Sequence, residues 1–289
     1  GKIQFSLSGP DARNKALQIK KDLKSEDKSV RYIEPKNTAT ILHNNLIERE
    51  TDFLMEDGSV FVTRAIQPFE EFTERDFSRP RPDKLSGMLP PKLARILINL
   101  SEAKIDDQIL DPFCGSGTIL AEAAHMGYKK LIGSDLSSKA IKDTENNLEW
   151  LKNSSKISKL NYKLYFSDVN TLADKIDKKT INTIITEPYM GRPLKGTERK
   201  IDLVSQTREL KDLYLGAFKT FDKVLKKNST IIFIIPRFKF QDSWVTIDCK
   251  DDIKKLGFKI EPFSPENDFL LYHRPQQHVG REIWKFRQA

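Results

Sequence analysis

The sequence is poor in cysteine, in histidine and in long apolar runs. Its 289 residues include 2 cysteines and 4 histidines, too few for a disulfide framework or a four-cysteine zinc site. The longest apolar runs, 96–100 and 231–235, are far shorter than the roughly 20 residues of a membrane-spanning helix. The start of the chain shows no secretory signal pattern. We therefore expect a cytoplasmic protein with no membrane segment and no metal site.

Charge is distributed unevenly along the chain. The net charge is +8, yet residues 1–80 contain 13 Lys/Arg and 14 Asp/Glu, so they carry −1 and the remainder carries +9. Many of the cations lie between Arg192 and Lys239. Such a basic segment predicts a nucleic-acid partner, because phosphate neutralisation releases counterions. A lysine-rich solubility surface is the alternative interpretation.

Periodicity and turn residues predict two domains and a linker. Residues 1–74 form a small α+β domain with a hairpin across Asp57-Gly58. Residues 75–91 form an Arg/Pro-rich linker whose prolines forbid a continuous helix. Residues 92–289 alternate strands and helices, which predicts an α/β domain with a parallel sheet and an antiparallel edge made by the closing strands.

A glycine loop separates the first predicted strand and helix of the α/β domain: Asp111-Pro-Phe-Cys-Gly115-Ser-Gly117-Thr118. Open α/β sheets bind ligands at such a loop, and its glycines allow close backbone approach. The third glycine of a dinucleotide fingerprint is replaced by Leu120, and the Gly-Lys-Ser/Thr of a P-loop is absent. Asp111 would repel a pyrophosphate but suits an ammonium group. The loop therefore favours S-adenosylmethionine (SAM).

Two further aspartates follow the next two predicted strands. Asp135 is placed to accept hydrogen bonds from a ribose diol, and Asp168 from an adenine amine. A single Asp at such a place is better explained as a helix N-cap, but three at successive strand ends favour SAM. The predicted cofactor residues are Leu89, Pro90, Asp111, Phe113, Cys114, Gly115, Gly117, Thr118, Asp135, Leu136, Asp168 and Val169.

Residues 75–94, followed by the glycine loop, resemble the tRNA guanosine-10 N2-methyltransferase family of archaea and eukaryotes, which are THUMP-related class I SAM-dependent RNA methyltransferases. The closing segment 272–283 is similar to bacterial-type relatives. The resemblance implies a class I, Rossmann-like SAM-methyltransferase fold and transfer of a methyl group to the exocyclic N2 amine of a guanosine in tRNA. Residues 1–74 resemble part of the RNA-binding module of these enzymes, which is roughly twice as long when complete.

In such enzymes the fourth strand ends in Asp/Asn-Pro-Pro-Tyr, which orients an exocyclic amine and stacks on a flipped base. The matching catalytic residues here are Thr186, Glu187, Pro188 and Tyr189. Either Glu187 supplies the carboxylate, with Thr186 adding its carbonyl or hydroxyl, or the amine-orienting group is lost. The first alternative is favoured, because a carboxylate, a proline and an aromatic residue are all retained.

Basic side chains that flank these motifs are predicted to bind RNA phosphates: Arg79, Arg81, Arg192, Lys195, Arg199 and Lys200. Two other functions stay open. A DNA amino-methyltransferase acting on N6 of adenine or N4 of cytosine orients its amine with the same kind of site. A non-catalytic SAM- and RNA-binding subunit of a heteromer would retain the same motifs. The resemblance also implies a small activating protein subunit, as eukaryotic relatives require, which would dock on an exposed apolar strand edge.

Overall fold

The structure is a computed structural model that describes residues 2–82, 88–154, 157 and 160–288. It contains two compact units, Gly1–Phe69 and Glu70–Ala289. The predicted linker 75–91 thus falls inside the second unit, where Arg75 and Arg79 are buried. Residues 83–87, part of the segment 75–94 on which the resemblance rests, lie outside the described residues.

The first unit is a small α+β unit with a four-stranded sheet in the order β2-β1-β3-β4. Strand β1 pairs in parallel with both β2 and β3, and β3 and β4 form the antiparallel hairpin predicted at Asp57-Gly58. Phe5, Leu7 and Ala16 belong to its apolar core. The elements are β1 (Ile3–Ser8), α1 (Ala12–Ser25), β2 (Val30–Tyr32), α2 (Thr38–His43), β3 (Asp52–Glu56) and β4 (Ser59–Val62).

The second unit is built on a nine-stranded mixed sheet. Its strands are β5 (Gln108–Asp111), β6 (Lys130–Asp135), β7 (Asn161–Phe166), β8 (Ile181–Thr186), β9 (Leu225–Phe240), β10 (Ser243–Thr246), β11 (Phe258–Ile260), β12 (Phe269–Tyr272) and β13 (Val279–Gln288). Its α-helices are α3 (Phe69–Thr73), at the boundary of the units, α4 (Pro91–Leu100), α5 (Thr118–His125), α6 (Ser138–Ser154), α7 (Lys200–Val224) and α8 (Lys250–Lys255). A π-helical turn spans Glu74–Ser78, and a 3-10 helix spans Val169–Asp174.

The strand order of the large sheet is β11-β13-β9-β8-β5-β6-β7, with β10 added to β9 and β12 added to β13. The five strands from β9 to β7 are parallel, whereas β10, β11, β12 and β13 pair antiparallel to their neighbours. This confirms the predicted parallel sheet with an antiparallel edge. The first strand of the series, β5, lies between β6 and β8, so the chain reverses its direction of winding there. Open α/β sheets bind ligands beside the carboxyl ends of the strands at such a point.

Residues 229–236 of β9 are buried on both faces, as the nearly continuous apolar run of this strand predicts. Ile231, Phe233 and Ile235 pack into the apolar core that contains side chains of α7. Ile232 and Ile234 pack into the other core, against side chains of α4 and α5. No helix among the described residues is both long and apolar enough to cross a membrane.

Candidate active site at the carboxyl edge of the sheet

The glycine loop that joins β5 to α5 is held in one conformation by its own backbone and by α6. Gly115 and Gly117 have φ angles of +52° and +83°, in the left-handed region that favours glycine. The Gly117 N–H donates to the Cys114 carbonyl at 2.7 Å, and the Thr144 hydroxyl donates to the Gly115 carbonyl at 2.8 Å. A Cβ on Gly115 would meet no heavy atom within 4 Å. The backbone of Gly115 is therefore not covered by other residues on the side where a side chain would project.

Replacing Gly117 by alanine should destabilise the protein much more than the same change at Gly115. A Cβ on Gly117 would lie 2.8 Å from Thr144 Cγ2, whereas one on Gly115 meets open space. Left-handed strain alone costs about 1–2 kcal/mol, and the clash adds a similar amount. We expect a loss of about 3 kcal/mol for Gly117→Ala and about 1 kcal/mol for Gly115→Ala in chemical denaturation. Equal losses would contradict the described packing of Thr144.

Asp135, at the end of β6, connects two neighbouring loops. Its Oδ2 atom accepts the Gly115 N–H at 2.9 Å, and its Oδ1 atom accepts the Ser137 N–H at 2.8 Å. The carboxylate is partly exposed, and the next residue, Leu136, projects an exposed apolar side chain. Each carboxylate oxygen can accept a further hydrogen bond. Asp135 therefore orders the glycine loop and also offers acceptor capacity beside Gly115.

Asp168, after β7, performs the helix-capping role that was the alternative interpretation. Its Oδ1 atom accepts the Asn170 backbone N–H and the Asn170 side-chain amide, each at 2.8 Å. These bonds cap the 3-10 helix Val169–Asp174. The Asp168 residue is exposed at the sheet edge, whereas Val169 is buried. The assignment of Asp168 to an adenine amine stays a prediction.

Asp111, the last residue of β5, is 2% exposed. Its Oδ1 atom accepts the Thr186 hydroxyl at 2.6 Å and the Phe113 N–H at 3.2 Å. Burial raises the pKa of this carboxyl to about 7, and the nearby charges of Asp135 and Glu187 act in the same direction. Asp111 is therefore a buried acid whose charge changes near neutral pH.

The bond to Asp111 corrects the role proposed for the Thr186 hydroxyl. That hydroxyl was one candidate for orienting a substrate amine, but it is fully buried and donates to Asp111. Cys114 in the same region is also buried, and burial raises the pKa of its thiol well above the usual value. Neither side chain is placed to contact a substrate base.

Glu187 supplies the carboxylate at the end of β8. Its Oε1 atom lies 2.5 Å from Arg281 Nε, and the two side chains are 13% and 12% exposed. Burial raises the pKa of Glu187, whereas the Arg281 guanidinium opposes that shift. Arg281 lies on β13, in register with Pro236 of β9. Sequence reasoning did not assign Arg281 a role, although it belongs to the closing segment 272–283 on which the resemblance partly rests.

Tyr189 follows Glu187 by two residues and is exposed. Its side chain is 54% exposed, whereas Pro188 before it is buried. The Tyr189 carbonyl accepts the Tyr214 hydroxyl at 2.8 Å. Tyr214 lies on α7 and is fully buried, and burial raises the pKa of its phenol well above the usual value, so it remains a donor. Tyr214 thus holds the segment that follows β8, a role that its apolar helix position did not reveal.

The sequence of the second unit matches a known family. A family model described as RMKL-like, methyltransferase domain (UPF0020) matches residues 79–245. The chain belongs to this methyltransferase family. The crystal structure of TrmN from Thermus thermophilus matches with a TM-score of 0.50 and 13% identity, over 100% of this chain and 72% of that chain. The class I methyltransferase fold predicted from the motifs is therefore confirmed.

Relatives of this methyltransferase domain include two curated archaeal proteins named tRNA (guanine(10)-N2)-dimethyltransferase. The protein of Pyrococcus abyssi is 34% identical over 191 residues, which are 66% of this chain and 49% of that protein. The protein of Methanothermobacter thermautotrophicus is 35% identical over 123 residues, which are 41% of this chain and 34% of that protein. The chain thus spans about a third to a half of the length of these relatives.

The segment that opens the methyltransferase domain is bound to the glycine loop. Arg79 is buried and donates from Nη1 to the Thr118 hydroxyl at 2.8 Å, which replaces the phosphate contact predicted for it. The Asn147 amide donates to the carbonyls of Arg81 and Ser116 at 2.9 Å and 2.8 Å. Arg81 itself is exposed. Residues 79–81 are therefore hydrogen-bonded to the glycine loop directly and through Asn147. Of the two arginines, only Arg81 is exposed.

The other predicted phosphate-binding residues, Arg192, Lys195, Arg199 and Lys200, are all exposed between β8 and the first turn of α7. Arg192 donates to Glu209 at 3.3 Å, and Arg199 forms a two-bond pair with Asp202 at 2.9 Å. Exposed ion pairs of this kind are weak and exchange readily for other anions. The basic segment is thus accessible, although acidic side chains accompany it.

The remaining predicted cofactor residues lie just before α4 and within the glycine loop. Leu89 is buried in the core beneath α4, and Pro90 is the residue before that helix. Phe113 packs partly against the core on the α7 side.

Among the described residues, no group of three or more acidic, histidine or cysteine side chains could hold a metal ion.

Proposed function

We propose that this chain carries the catalytic domain of a SAM-dependent methyltransferase that methylates the exocyclic N2 amine of a guanosine in tRNA. The observation that carries the proposal is the end of β8, where Glu187, buried Pro188 and exposed Tyr189 adjoin the glycine loop at the winding reversal of the sheet. The names of the archaeal relatives support guanine N2 as the acceptor.

The residues around the loop fit SAM. The ligand region combines bare backbone at Gly115 with three carboxyl groups, Asp111, Asp135 and Asp168, at successive strand ends. Carboxylates suit an ammonium, a ribose diol and an adenine amine, and they oppose a phosphate. Leu136, the residue after Asp135, adds an exposed apolar side chain, whereas Val169, after Asp168, is buried. When bound, SAM supplies a methyl group on a sulfonium, whose C–S bond breaks as the new N–C bond forms.

The side chains near β8 would orient the base. The lone pair of an exocyclic amine is delocalised into the ring, so the amine must be held by acceptors that direct this pair outward. Glu187 accepts one amine hydrogen, and a backbone carbonyl of the segment 186–188 accepts the other, because the Tyr189 carbonyl already accepts the Tyr214 hydroxyl. The exposed Tyr189 ring stacks on the flipped base. In this proposal the carboxylate of Glu187 also receives the proton that N2 loses.

The basic segment would bind the backbone of the RNA near the flipped nucleotide. Arg192, Lys195, Arg199 and Lys200 follow the catalytic motif directly and are exposed, so their positions suit phosphates next to the target base. A contribution of residues 1–74 to RNA binding, and the activating subunit, stay predictions.

The direct test is nucleoside mass spectrometry. Unmodified tRNA transcripts incubated with the protein and SAM should yield N2-methylguanosine or N2,N2-dimethylguanosine, and omission of SAM should abolish both. Double-stranded DNA incubated in parallel should stay unmodified. Methyladenine or N4-methylcytosine in the DNA would favour the DNA alternative. SAM binding in calorimetry without transfer to any RNA would favour the non-catalytic alternative.

A further inference from the structure

The turn that joins β12 to β13 carries an exposed arginine, Arg274. Its Nε atom donates to the Tyr272 hydroxyl at 2.7 Å, and its guanidinium lies over the Tyr272 ring, 5.7 Å from the ring centre. Exposed Arg192 and Arg199 each pair with a carboxylate, whereas no carboxylate of the described residues pairs with Arg274. The two terminal amino groups of Arg274 are therefore available to an anionic ligand.

The backbone of this turn is fixed by its own hydrogen bonds and by a ring contact. His273 Nε2 donates to the Gln277 carbonyl at 2.9 Å, and the Gln277 N–H donates to the Arg274 carbonyl at 3.1 Å. The His273 ring meets the Trp244 ring edge-on, with 5.0 Å between the ring centres. Together with the bond to Tyr272, these contacts hold the Arg274 guanidinium in one direction. A preorganised guanidinium loses less conformational entropy when it binds.

The strand that precedes the turn connects it to the proposed catalytic motif. Tyr272 of β12 is in register with Arg281 of β13, and Arg281 pairs with Glu187 at 2.5 Å. Residues in register on adjacent strands place their side chains on the same face of the sheet, about 5 Å apart. Only the side chains of Tyr272 and Arg281 therefore separate the Arg274 guanidinium from Glu187.

The far end of the turn adjoins the basic segment 192–200. The His278 ring lies against Gly196 of that segment, since a Cβ on Gly196 would stand 2.5 Å from His278 Cε1. The His278 carbonyl accepts the Lys239 N–H at 2.8 Å, which fixes His278 to the end of β9. The turn 273–278 and the basic segment thus form one continuous surface.

We propose that Arg274 binds a phosphate of the substrate RNA close to the target nucleotide, and that Tyr272 holds the guanidinium for this contact. Because Nε donates to Tyr272, Nη1 and Nη2 can donate to two oxygens of one phosphate, a geometry for which arginine is well suited. This inference rests on the proposed function, and it extends the RNA-binding surface from the basic segment onto the closing strands of the sheet.

The experiment measures the affinity for a tRNA transcript that the protein methylates in the assay above, as a function of KCl concentration. Arg274→Gln should lower this affinity about tenfold at low salt and reduce the slope of log affinity against log salt by about one, because one fewer phosphate is neutralised. The increase in KM for tRNA should exceed any decrease in kcat, and SAM affinity by calorimetry should stay near the wild-type value. An Arg274 that only packs on Tyr272 would leave the salt slope unchanged.

Two further substitutions separate the charge of Arg274 from its geometry. Arg274→Lys keeps the charge but loses the planar fork, so the affinity for tRNA should fall about threefold while the salt slope stays near that of the wild type. Tyr272→Phe keeps the ring and removes the hydroxyl that holds Nε. Its affinity for tRNA should also fall, again with an unchanged salt slope, because the charge is retained.

Lys227→Gln is the matched control, because it removes the same charge from an exposed residue at the amino end of β9, on the edge of the sheet away from the candidate site. Its tRNA affinity and salt slope should equal those of the wild type. An unchanged slope in Arg274→Gln, or equal changes in Arg274→Gln and Lys227→Gln, would overturn the phosphate contact and leave the proposed function intact. Absence of methyl transfer to tRNA by the wild type would instead overturn the proposed function, and the phosphate contact with it.

Discussion

Glu187→Ala is expected to lower kcat about a thousandfold while SAM affinity changes less than threefold. Glu187 follows the end of β8 and precedes exposed Tyr189 by two residues, so in the proposed function its carboxylate would hold the amine rather than the cofactor. Removing one preorganised group that aligns or stabilises the reacting atoms typically costs 10²–10³ in rate, and loss of a proton acceptor adds to this cost. Single-turnover kinetics and calorimetry on the same preparation would measure the two effects separately.

Two further variants make that expectation specific. Glu187→Gln keeps an acceptor oxygen but loses the charge, so its kcat should fall between the values of wild type and Glu187→Ala. Glu282→Gln changes a buried glutamate that pairs with Arg237 and accepts the Trp284 indole N–H, and it should leave kcat near the wild-type value if the protein remains folded. Undiminished turnover in Glu187→Ala would remove this residue from the mechanism.

The features that the sequence predicts correctly are local along the chain. The glycine loop, the three strand-end aspartates and the burial of β9 on both faces each follow from residue type and spacing within a few positions, because strand ends and turns are determined by neighbouring residues. The winding reversal beside β5 then places those strand ends at one edge of the sheet. The position of the candidate site could therefore be predicted before its contacts were known.

The contacts within the site depend on pairs that are distant in sequence. The Thr186 hydroxyl donates to Asp111 across 75 positions, and Glu187 meets Arg281 across 94. Spacing in one sequence carries no information about such partners. The motif alone therefore could not identify these partners, and the roles of Thr186 and Glu187 toward a substrate stay predictions.

Arg79 is a second residue whose partner could not be predicted from the sequence. Arginine and proline in a linker suggest an exposed phosphate-binding segment, since charged residues are rarely buried. In the structure this segment packs on the methyltransferase domain: Arg75 pairs with buried Glu122 at 2.6 Å, and Arg79 donates to Thr118 of the loop. Glu122, a buried acid on α5, makes this packing possible. Composition could not identify Arg75 as its partner.

SAM affinity is expected to fall as the pH drops below 7. Burial raises the pKa of Asp111 to about 7, and the ammonium of SAM favours its charged form. Below that pH the affinity should decrease about tenfold per unit, and by about a hundredfold at pH 5. Calorimetry in buffers of different ionisation enthalpy should also detect proton release on binding near pH 6. Asp111→Asn should bind weakly at every pH, and a pH-dependent affinity in that variant would assign the titration to another group.

The same burial should make Asp111→Asn more resistant to heat than the wild type at pH 8. The pKa of the folded state, about 7, lies above the ordinary value of 3.8. The folded protein therefore retains a proton that the unfolded chain releases, and stability falls as the pH rises from about 4 to about 7. At about 1.4 kcal/mol per pKa unit, the cost at pH 8 reaches at most about 4 kcal/mol.

Asparagine removes this cost and keeps an oxygen for the Thr186 hydroxyl and the Phe113 N–H, which donate to Asp111 at 2.6 Å and 3.2 Å. We expect its melting temperature to exceed that of the wild type by several degrees at pH 8, and the difference to vanish near pH 4. Asp111→Ala is the matched control, because it leaves both donors without an acceptor and should gain much less. A lower melting temperature for asparagine at pH 8 would mean that the charged carboxylate stabilises the fold, contrary to its burial. The gain in stability with loss of SAM binding would identify Asp111 as a residue whose charge serves the ligand at the expense of the fold.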